Sequence, residues 1–398
     1  MKNTRRFIIR HYLSMLVVVG LLVLGIILYT YGSRTFLTGL SSAEQQIINQ
    51  SSSISAILKN PLWIIYKVAV FLSLKLGVAD FSLRFISAFF TIISVYAFYS
   101  IAKKWYSQRV SVLTTVLFAL NVSTLTVSRI ATPAVLLYSW IVYFAIIVWL
   151  KTTRRTKVAP LVVLASTGIM MYIPGSIWVL IFISAWFWKD IPRIFRHMNK
   201  TSILFGSILG LLFIAPLLLA ILNDTSVLRN WLLIPKHLNI GDTLQALKDI
   251  PAALFYRSAT NPAYNLGRLP MFDAFTGTLL LLSFYAYKNK VSLQRTIVFF
   301  IAILVSLLLT GINNNQLYLL FCLPFLYLIA GEGMSYLLNE WRIVFPRNPI
   351  ARFTGTLLMS IAVFSTCSYH MNRYFLAWVN SPETKKVYSE PPQKHISQ

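Results

Sequence analysis

Long apolar stretches recur along this chain from Tyr12 to Thr366, separated by shorter polar segments. Each has about 17 to 24 residues, close to the roughly 20 that an α-helix needs to cross the hydrocarbon core of a bilayer. The stretches are apolar on all sides, so they do not suit helices that pack only one face on a soluble core. The pattern therefore predicts an all-α, polytopic membrane protein.

The same pattern predicts about eleven transmembrane helices. They cover approximately residues 11–31, 82–102, 110–128, 133–150, 158–173, 176–188, 202–222, 274–287, 296–311, 316–338 and 353–368. The first stretch follows several basic residues, as in a signal peptide, but its apolar run is long and no small-residue cleavage site follows. We interpret it as an uncleaved membrane anchor.

The charges give this topology an orientation. Only 12% of the residues are charged, yet the formal net charge is +25. Of the 36 Lys and Arg residues, 21 fall in the short segments on one side of the predicted bundle, and the other 15 are spread over much longer segments. Basic residues concentrate on the cytoplasmic side of membrane proteins, so we predict a cytoplasmic N-terminus and an extracytoplasmic C-terminus in the cytoplasmic membrane. The basic excess then reflects topology and contact with lipid headgroups, and nucleic acid is not an expected partner.

Two long segments are predicted outside, at about residues 32–81 and 223–273, within a transmembrane domain of residues 1–368. Residues 369–398 form an extracytoplasmic tail. Within the first segment, Pro61 to Leu76 is apolar but short, so we expect an interfacial helix with Lys67 and Lys75 at headgroup level. A twelfth span at this position would move the later basic clusters outside.

Acidic residues are scarce, and eight of the eleven are predicted to lie outside. Glu44 is the best placed to act as an acid or base at the outer membrane face, because it follows the first span closely. The alternative is structural: Ser42 would cap a helix and Glu44 would lie in its first turn. The two Cys and five His residues show no spacing typical of a disulfide framework or a metal site.

An ordered set of short motifs resembles the GT-C glycosyltransferases. It comprises an acidic residue after the first span, a Lys-x-Pro-Leu turn, FSLRFISA at residues 81–88, SRIA at 128–131, GRLPMFD at 267–273 and Leu323-Pro324. The most similar branch uses polyprenyl-phosphate sugars and includes protein O-mannosyltransferases and aminoarabinose transferases. The resemblance covers most of the chain.

In that family an Asp-Glu pair after the first span supplies the general base. Here Ala43 occupies the Asp position and Glu44 the Glu position, and Ala134 stands where a second acidic residue is often found. The resemblance therefore implies base catalysis through Glu44 alone.

The family's Lys-Pro-Pro turn, whose lysine contacts the lipid phosphate, matches Lys59-Asn60-Pro61. A cation there would stabilise the phosphate that leaves. Arg84 and Arg129 are further candidates for the phosphate, with snorkelling or helix-end stabilisation as the alternative. Asp273 would orient an acceptor or cap the helix that follows it.

The residues leave three classes of function open. The first is an inverting glycosyltransferase that transfers a sugar from a polyprenyl-phosphate donor to a glycan, lipid or protein acceptor. The second, suggested by Ala43 and Ala134, is a catalytically silent binding or scaffold subunit. The third is a lipid or solute transporter, although the spans hold few ionisable residues. Membrane lipids are expected partners, and the sequence leaves open whether a divalent metal ion takes part.

Overall fold

The computed structural model describes residues 19–389 except for 21, 24, 33–34, 78–79, 153–157, 190–195, 197–198, 259, 289 and 291–292. All regular elements in these ranges are helical, and none of them is a β-strand. The prediction of an all-α chain is confirmed. Residues 11–18 of the first predicted span, and the tail beyond residue 389 with Glu390, lie outside the described residues.

Eighteen α-helices follow one another in the described ranges. They are α1 (described at residues 25–30), α2 (Ser42–Gln50), α3 (Ile54–Lys59), α4 (Ile64–Lys75), α5 (Arg84–Trp105), α6 (Gln108–Leu120), α7 (Val122–Ser128), α8 (Ser139–Thr152), α9 (Ala159–Met170), α10 (Ser176–Trp186), α11 (Lys200–Asn223), α12 (Thr225–Leu232), α13 (Ile240–Phe255), α14 (Ala274–Tyr287), α15 (Gln294–Asn313), α16 (Leu323–Val344), α17 (Pro349–Asn372) and α18 (Pro382–Val387). Short 3₁₀ turns at Asp80–Leu83, Pro133–Tyr138 and Gln316–Phe321 lead into α5, α8 and α16, and a π-helical turn at Arg373–Trp378 follows α17.

Helices occupy every predicted span within the described ranges, but the count of eleven spans remains a prediction. By length and composition, five described helical segments could cross a membrane, or six when a bent pair counts as one span. The bent pair is α6 and α7, whose axes differ by 59° at Asn121. Helices α9, α10 and α14 are apolar but shorter, with 10–17 residues.

The surface of α11 is that of a membrane protein. Its apolar side chains project away from the rest of the chain, and Leu222 is 80% exposed. Other strongly exposed leucines on the same helix are Leu204, Leu211, Leu212 and Leu219. Soluble proteins rarely expose an apolar surface this continuous, so lipid is its natural environment.

Glycines let two helix pairs pack closely. A Cβ at Gly206 in α11 would lie 2.9 Å from the carbonyl oxygen of Pro160 at the start of α9. A Cβ at Gly333 in α16 would overlap the carbonyl oxygen of Leu279 in α14. Small residues at such contacts are typical of membrane helix pairs, where close packing replaces the hydrophobic effect as the source of association.

The described parts of the long predicted loops meet at one end of the bundle, which we call the loop face. It comprises α2 to α4, α12, α13, residues 256–273 and residues 373–388, the C-terminal segment. That these segments lie together outside the membrane stays a prediction. Near the other end Lys290 forms an ion pair with Glu332 of α16.

Candidate active site

The position of Glu44 is fixed by its local sequence. Ser41, rather than the predicted Ser42, is the N-cap of α2: its hydroxyl accepts from the Glu44 amide, and the Glu44 carboxylate accepts from the Ser41 amide at 2.9 Å. This reciprocal capping box is a common way to begin a helix. The side chain of Glu44 is 0% exposed.

The carboxylate of Glu44 has partners on both oxygens. Arg84 donates from Nε to Oε1 at 2.9 Å and from Nη2 to Oε2 at 3.2 Å. The backbone amide of Ala131 donates to Oε1 at 2.7 Å. A buried carboxylate is stable only when it is paired and hydrogen-bonded in this way. In this conformation Glu44 joins three parts of the chain, the starts of α2 and α5 and the segment after α7.

Arg84 also holds the first loop. Its guanidinium donates to the carbonyl of Leu37 at 2.9 Å and to that of Gly39 at 2.7 Å, and only 1% of the residue is exposed. The sequence indicated a possible phosphate contact for Arg84. In this conformation the guanidinium faces into the protein, so phosphate binding by Arg84 stays a prediction.

Arg129 has a similar structural setting. It donates to the carbonyls of Leu28 and Tyr31 at the end of α1, and from Nε to the hydroxyl of Tyr374 at 3.1 Å. Its guanidinium carbon lies 5.0 Å from the centre of the Phe375 ring. An arginine that satisfies the last carbonyls of a helix stabilises that helix end. A phosphate contact by Arg129 likewise stays a prediction.

Two lysines, Lys59 in the Lys59-Asn60-Pro61 turn and Lys67 in α4, differ in exposure. Lys59, in the last turn of α3, is exposed. Lys67 is 0% exposed, and its Nζ donates to the carbonyl of Asn60 at 2.7 Å. Burial lowers the pKa of Lys67 to about 8. The prediction of Lys67 at headgroup level is wrong, because α4 turns this side chain inward, where it fastens the turn that carries Lys59.

Asp273 is the N-cap of α14 and has its own set of partners. It accepts from the amides of Phe275 and Thr276 at 2.9 and 3.2 Å and from the Thr276 hydroxyl at 2.6 Å. Nε2 of the buried His370 lies 3.4 Å from Oδ1. Burial alone would raise the pKa of Asp273, but the interactions with His370 and Thr276 outweigh it and lower the pKa to about 2. The capping role is what the geometry shows.

The structure thus brings Glu44, Arg84 and Arg129 together as a charged cluster and leaves Lys59 and Asp273 outside it. The C-terminal segment packs against the same region. Tyr374 contacts Arg129, and the guanidinium carbon of Arg84 lies 5.9 Å from the ring centre of Tyr388.

The C-terminal segment also holds the loop that follows α13. Trp378 donates from Nε1 to the carbonyl of Pro262, and the Tyr388 hydroxyl donates to that of Ala263, each at 3.0 Å. Sequence reasoning missed these aromatic residues. The dense Tyr and Trp content of residues 369–388 was the signal that could have indicated a packed segment.

Among the described residues, no three His, Cys, Asp or Glu side chains are grouped so that they could hold a metal ion together. Ala43, exposed one residue before Glu44, and Ala134, buried, add no oxygen ligands. We therefore assign no step to a metal, and the metal requirement stays untested.

Comparison with known proteins gives one family match and one similar fold. Residues 59–219 match the family model of dolichyl-phosphate-mannose-protein mannosyltransferases. None of the curated proteins matches the sequence significantly. Among solved structures, ArnT from Cupriavidus metallidurans bound to undecaprenyl phosphate has a similar fold, with a TM-score of 0.51 and 11% identity over 93% of this chain and 76% of that one. The predicted resemblance is confirmed for residues 59–219 by the family model, and most of the chain shares its fold with ArnT.

Proposed function

We propose that this chain is a membrane glycosyltransferase that transfers a sugar from a polyprenyl-phosphate donor to an acceptor. The observation that carries the proposal is the match of residues 59–219 to the dolichyl-phosphate-mannose-protein mannosyltransferases, because this stretch includes Lys59, Arg84 and Arg129. The similar fold of a protein bound to undecaprenyl phosphate supports a polyprenyl phosphate as the carrier. Uptake or flipping of a solute has no comparable support.

The reaction that we propose inverts the anomeric centre. A hydroxyl or amine of the acceptor attacks C1 of the sugar, the bond from C1 to the phosphate oxygen breaks, and the polyprenyl phosphate leaves with the electron pair. The attacking group loses its proton to a base, and a cation stabilises the charge that develops on the phosphate. The chain therefore needs one accessible base and one accessible cation at the bilayer surface.

Lys59 is the cation that we assign to the phosphate. Its side chain is exposed, and the turn that follows it is held by the hydrogen bond from Lys67 to Asn60. Arg84 and Arg129 act in this proposal as positioning residues, since their guanidinium groups hold carbonyls of Leu28, Leu37 and Gly39 on the stretch that leads to the helix of Glu44.

Glu44 is the base that we assign, with one condition. Both of its oxygens accept hydrogen bonds in this conformation, so one of them must be released before it can take a proton from an acceptor. On Oε1 the Ala131 amide is a neutral donor and Arg84 Nε is a charged one, so withdrawal of the Ala131 amide frees one lone pair of Oε1 for the proton while Arg84 stays bound.

Turnover of lipid-linked sugars tests the function directly. Membranes with and without this protein are incubated with polyprenyl-phosphate sugars, and the donor, the free polyprenyl phosphate and the products are followed by mass spectrometry. We expect donor consumption only when the protein is present. Failure to consume any lipid-linked sugar, in wild type and in the variant described next, would overturn the proposal.

The variant Ala43→Asp distinguishes a chain with low transfer activity from one with none. Ala43 is exposed in the first turn of α2, so an aspartate fits there and is favoured by the helix dipole. Gln46→Asp, at another exposed position of α2, is the matched control. If wild type and Gln46→Asp are inert while Ala43→Asp transfers sugar, the natural chain is a catalytically silent relative.

We also propose that the loop face is extracytoplasmic. Both cysteines are buried, so single cysteines introduced at exposed positions can be labelled over a low background. Ser52→Cys on the loop face should react with a membrane-impermeant maleimide in intact cells, and Thr152→Cys at the other end should react only after lysis. The reverse pattern would contradict the orientation.

A further inference from the structure

A cavity on the loop face lies beside the charged cluster and has no role in the chemistry described above. Its volume is about 210 Å³. It is bounded by α7, by Ser258 and residues 260–265 of the loop after α13, and by the segment between α15 and α16 at residues 314–320. Water occupies about 30 Å³ per molecule in the liquid, so the space holds about seven waters or one small polar molecule.

Most of the residues that line this cavity, called the polar cavity below, have neutral polar side chains. The Ser258 hydroxyl donates to Oε1 of Gln316 at 2.7 Å, and Nδ2 of Asn265 donates to the Ser258 hydroxyl at 3.2 Å. Ser123 and Thr126 of α7 contribute two more hydroxyls. None of the described residues that line the cavity is charged.

This chemistry selects a class of ligand. Amide and hydroxyl side chains both donate and accept hydrogen bonds, which matches the hydroxyl groups of a sugar. A cationic or anionic ligand would lose its hydration there without gaining a charged partner, which is costly. A volume below the roughly 300 to 1,000 Å³ of drug-sized sites suits one ring rather than an oligosaccharide or a lipid chain.

Tyr264 connects the cavity with the charged cluster. It lines the cavity, and burial together with the nearby Glu44 carboxylate raises the pKa of its phenol. The loop that carries Tyr264 is fastened on one side by the hydrogen bond from Ser258 to Gln316 and on the other by Trp378 and Tyr388. Tyr264 therefore lines the cavity and also lies within electrostatic range of the residue that we assign as the base.

We propose that this cavity binds a single uncharged sugar ring, through Asn265, Ser258 and Gln316. The proposal deepens the proposed function and rests on it for the role of the ring, which belongs either to the donor or to a saccharide acceptor. Both sources present the same hydroxyl groups. A sugar that carries an ammonium or carboxylate group is excluded as the ligand.

Binding of free monosaccharides tests the cavity without any transfer reaction. The protein is placed in lipid nanodiscs, because glycoside detergents would compete, and saturation-transfer NMR is recorded with methyl α-D-mannopyranoside, methyl α-D-glucopyranoside, glucosamine and glucuronate. We expect at least one neutral glycoside to bind and both charged sugars to bind far more weakly.

Variants locate the bound sugar. Asn265→Leu and Gln316→Leu each remove an amide from the lining and should weaken binding about tenfold. Gln245→Leu is the matched control, because Gln245 is an exposed amide on α13 that does not line the cavity. Unfolding midpoints show whether each variant is folded. Equal binding by wild type and a folded Asn265→Leu would overturn the assignment.

The two proposals fail in different ways. Donor turnover by a protein that binds no neutral glycoside would overturn the sugar cavity and leave the glycosyltransferase intact. Binding that is lost in Asn265→Leu, without turnover of any donor, would support the cavity and count against the enzyme. Where turnover occurs, slower release of free sugar from donor alone in Asn265→Leu assigns the ring to the donor, and slower transfer with unchanged release assigns it to the acceptor.

Discussion

The charged cluster and the polar cavity are neighbours on the loop face, yet they are built in opposite ways. Glu44, Arg84 and Arg129 are almost completely buried: Glu44 and Arg84 pair with each other, and both arginines donate to backbone carbonyls. The cavity is open, and its lining is uncharged. Charge in this chain therefore holds segments together, and neutral polar groups surround the space that a ligand can enter.

The largest expected effect tests whether the charged cluster is also catalytic. Glu44→Gln removes the base and should lower transfer by about 10²- to 10⁴-fold. Glu383→Gln, an exposed glutamate of the C-terminal segment, is the control. Initial rates of donor consumption are compared with the unfolding midpoint of each variant. Unchanged turnover in folded Glu44→Gln would eliminate Glu44 as the base and leave it a purely structural residue.

Removal of Arg84 should reveal the structural role of the cluster. Arg84→Met leaves Glu44 as a buried charge that has lost its cation, which costs about 3 to 5 kcal/mol of unfolding free energy. Arg229→Met changes an exposed arginine and should cost little. Unfolding in mixed micelles measures both. The double variant Glu44→Gln with Arg84→Met should lose less unfolding free energy than Arg84→Met alone. A larger loss in the double variant would show that the pair is not the source of the stability.

Asp273 lies outside both the charged cluster and the polar cavity, and its pKa predicts how the stability of the folded chain depends on pH. Its pKa is about 2 in the folded chain against an ordinary value of 3.8, so the folded state favours the charged form. This stabilisation, about 2 kcal/mol for such a shift, is present above pH 4 and is lost as the pH falls towards 2. Asp273→Asn should be less stable at neutral pH and should lack this pH dependence. An identical pH profile in wild type and variant would contradict the assignment.

The smallest expected effect concerns the contact that joins the two regions. Tyr388→Phe removes the hydrogen bond to the carbonyl of Ala263 and should cost about 1 kcal/mol. Tyr256→Phe, on a residue that is 80% exposed, is the control. If the C-terminal segment shapes the cavity, Tyr388→Phe also weakens binding of the neutral glycoside. Unchanged stability and binding would show that this hydrogen bond has no part in the cavity.

The positions of the helices could be predicted because apolar stretches of membrane length carry that information locally. The break at Asn121 could not, since apolar residues flank it on both sides. Its cause is the Asn121 side chain, which caps α7 and also donates to the hydroxyl of Tyr327, 206 residues away.

The candidate site shows the same division between local and long-range information. The first-turn position of Glu44 and the capping role of Asp273 follow from nearby residues, and both were among the alternatives that the sequence offered. The inward direction of Arg84 and Lys67 depends on carbonyls that only the folded chain brings near. For the same reason the cavity was not foreseen: Ser258, Asn265 and Gln316 are ordinary loop residues until they meet.

The C-terminal segment has a consequence for biosynthesis. Residues 373–388 leave the ribosome after all the loops that they contact, including those that carry Arg129 and Ala263. While the chain is being inserted, Arg129 lacks its hydrogen bond to Tyr374. The loop around Tyr264 lacks the hydrogen bonds that Trp378 and Tyr388 later donate to it. The loop face of the nascent protein is therefore completed last, when the C-terminal segment docks.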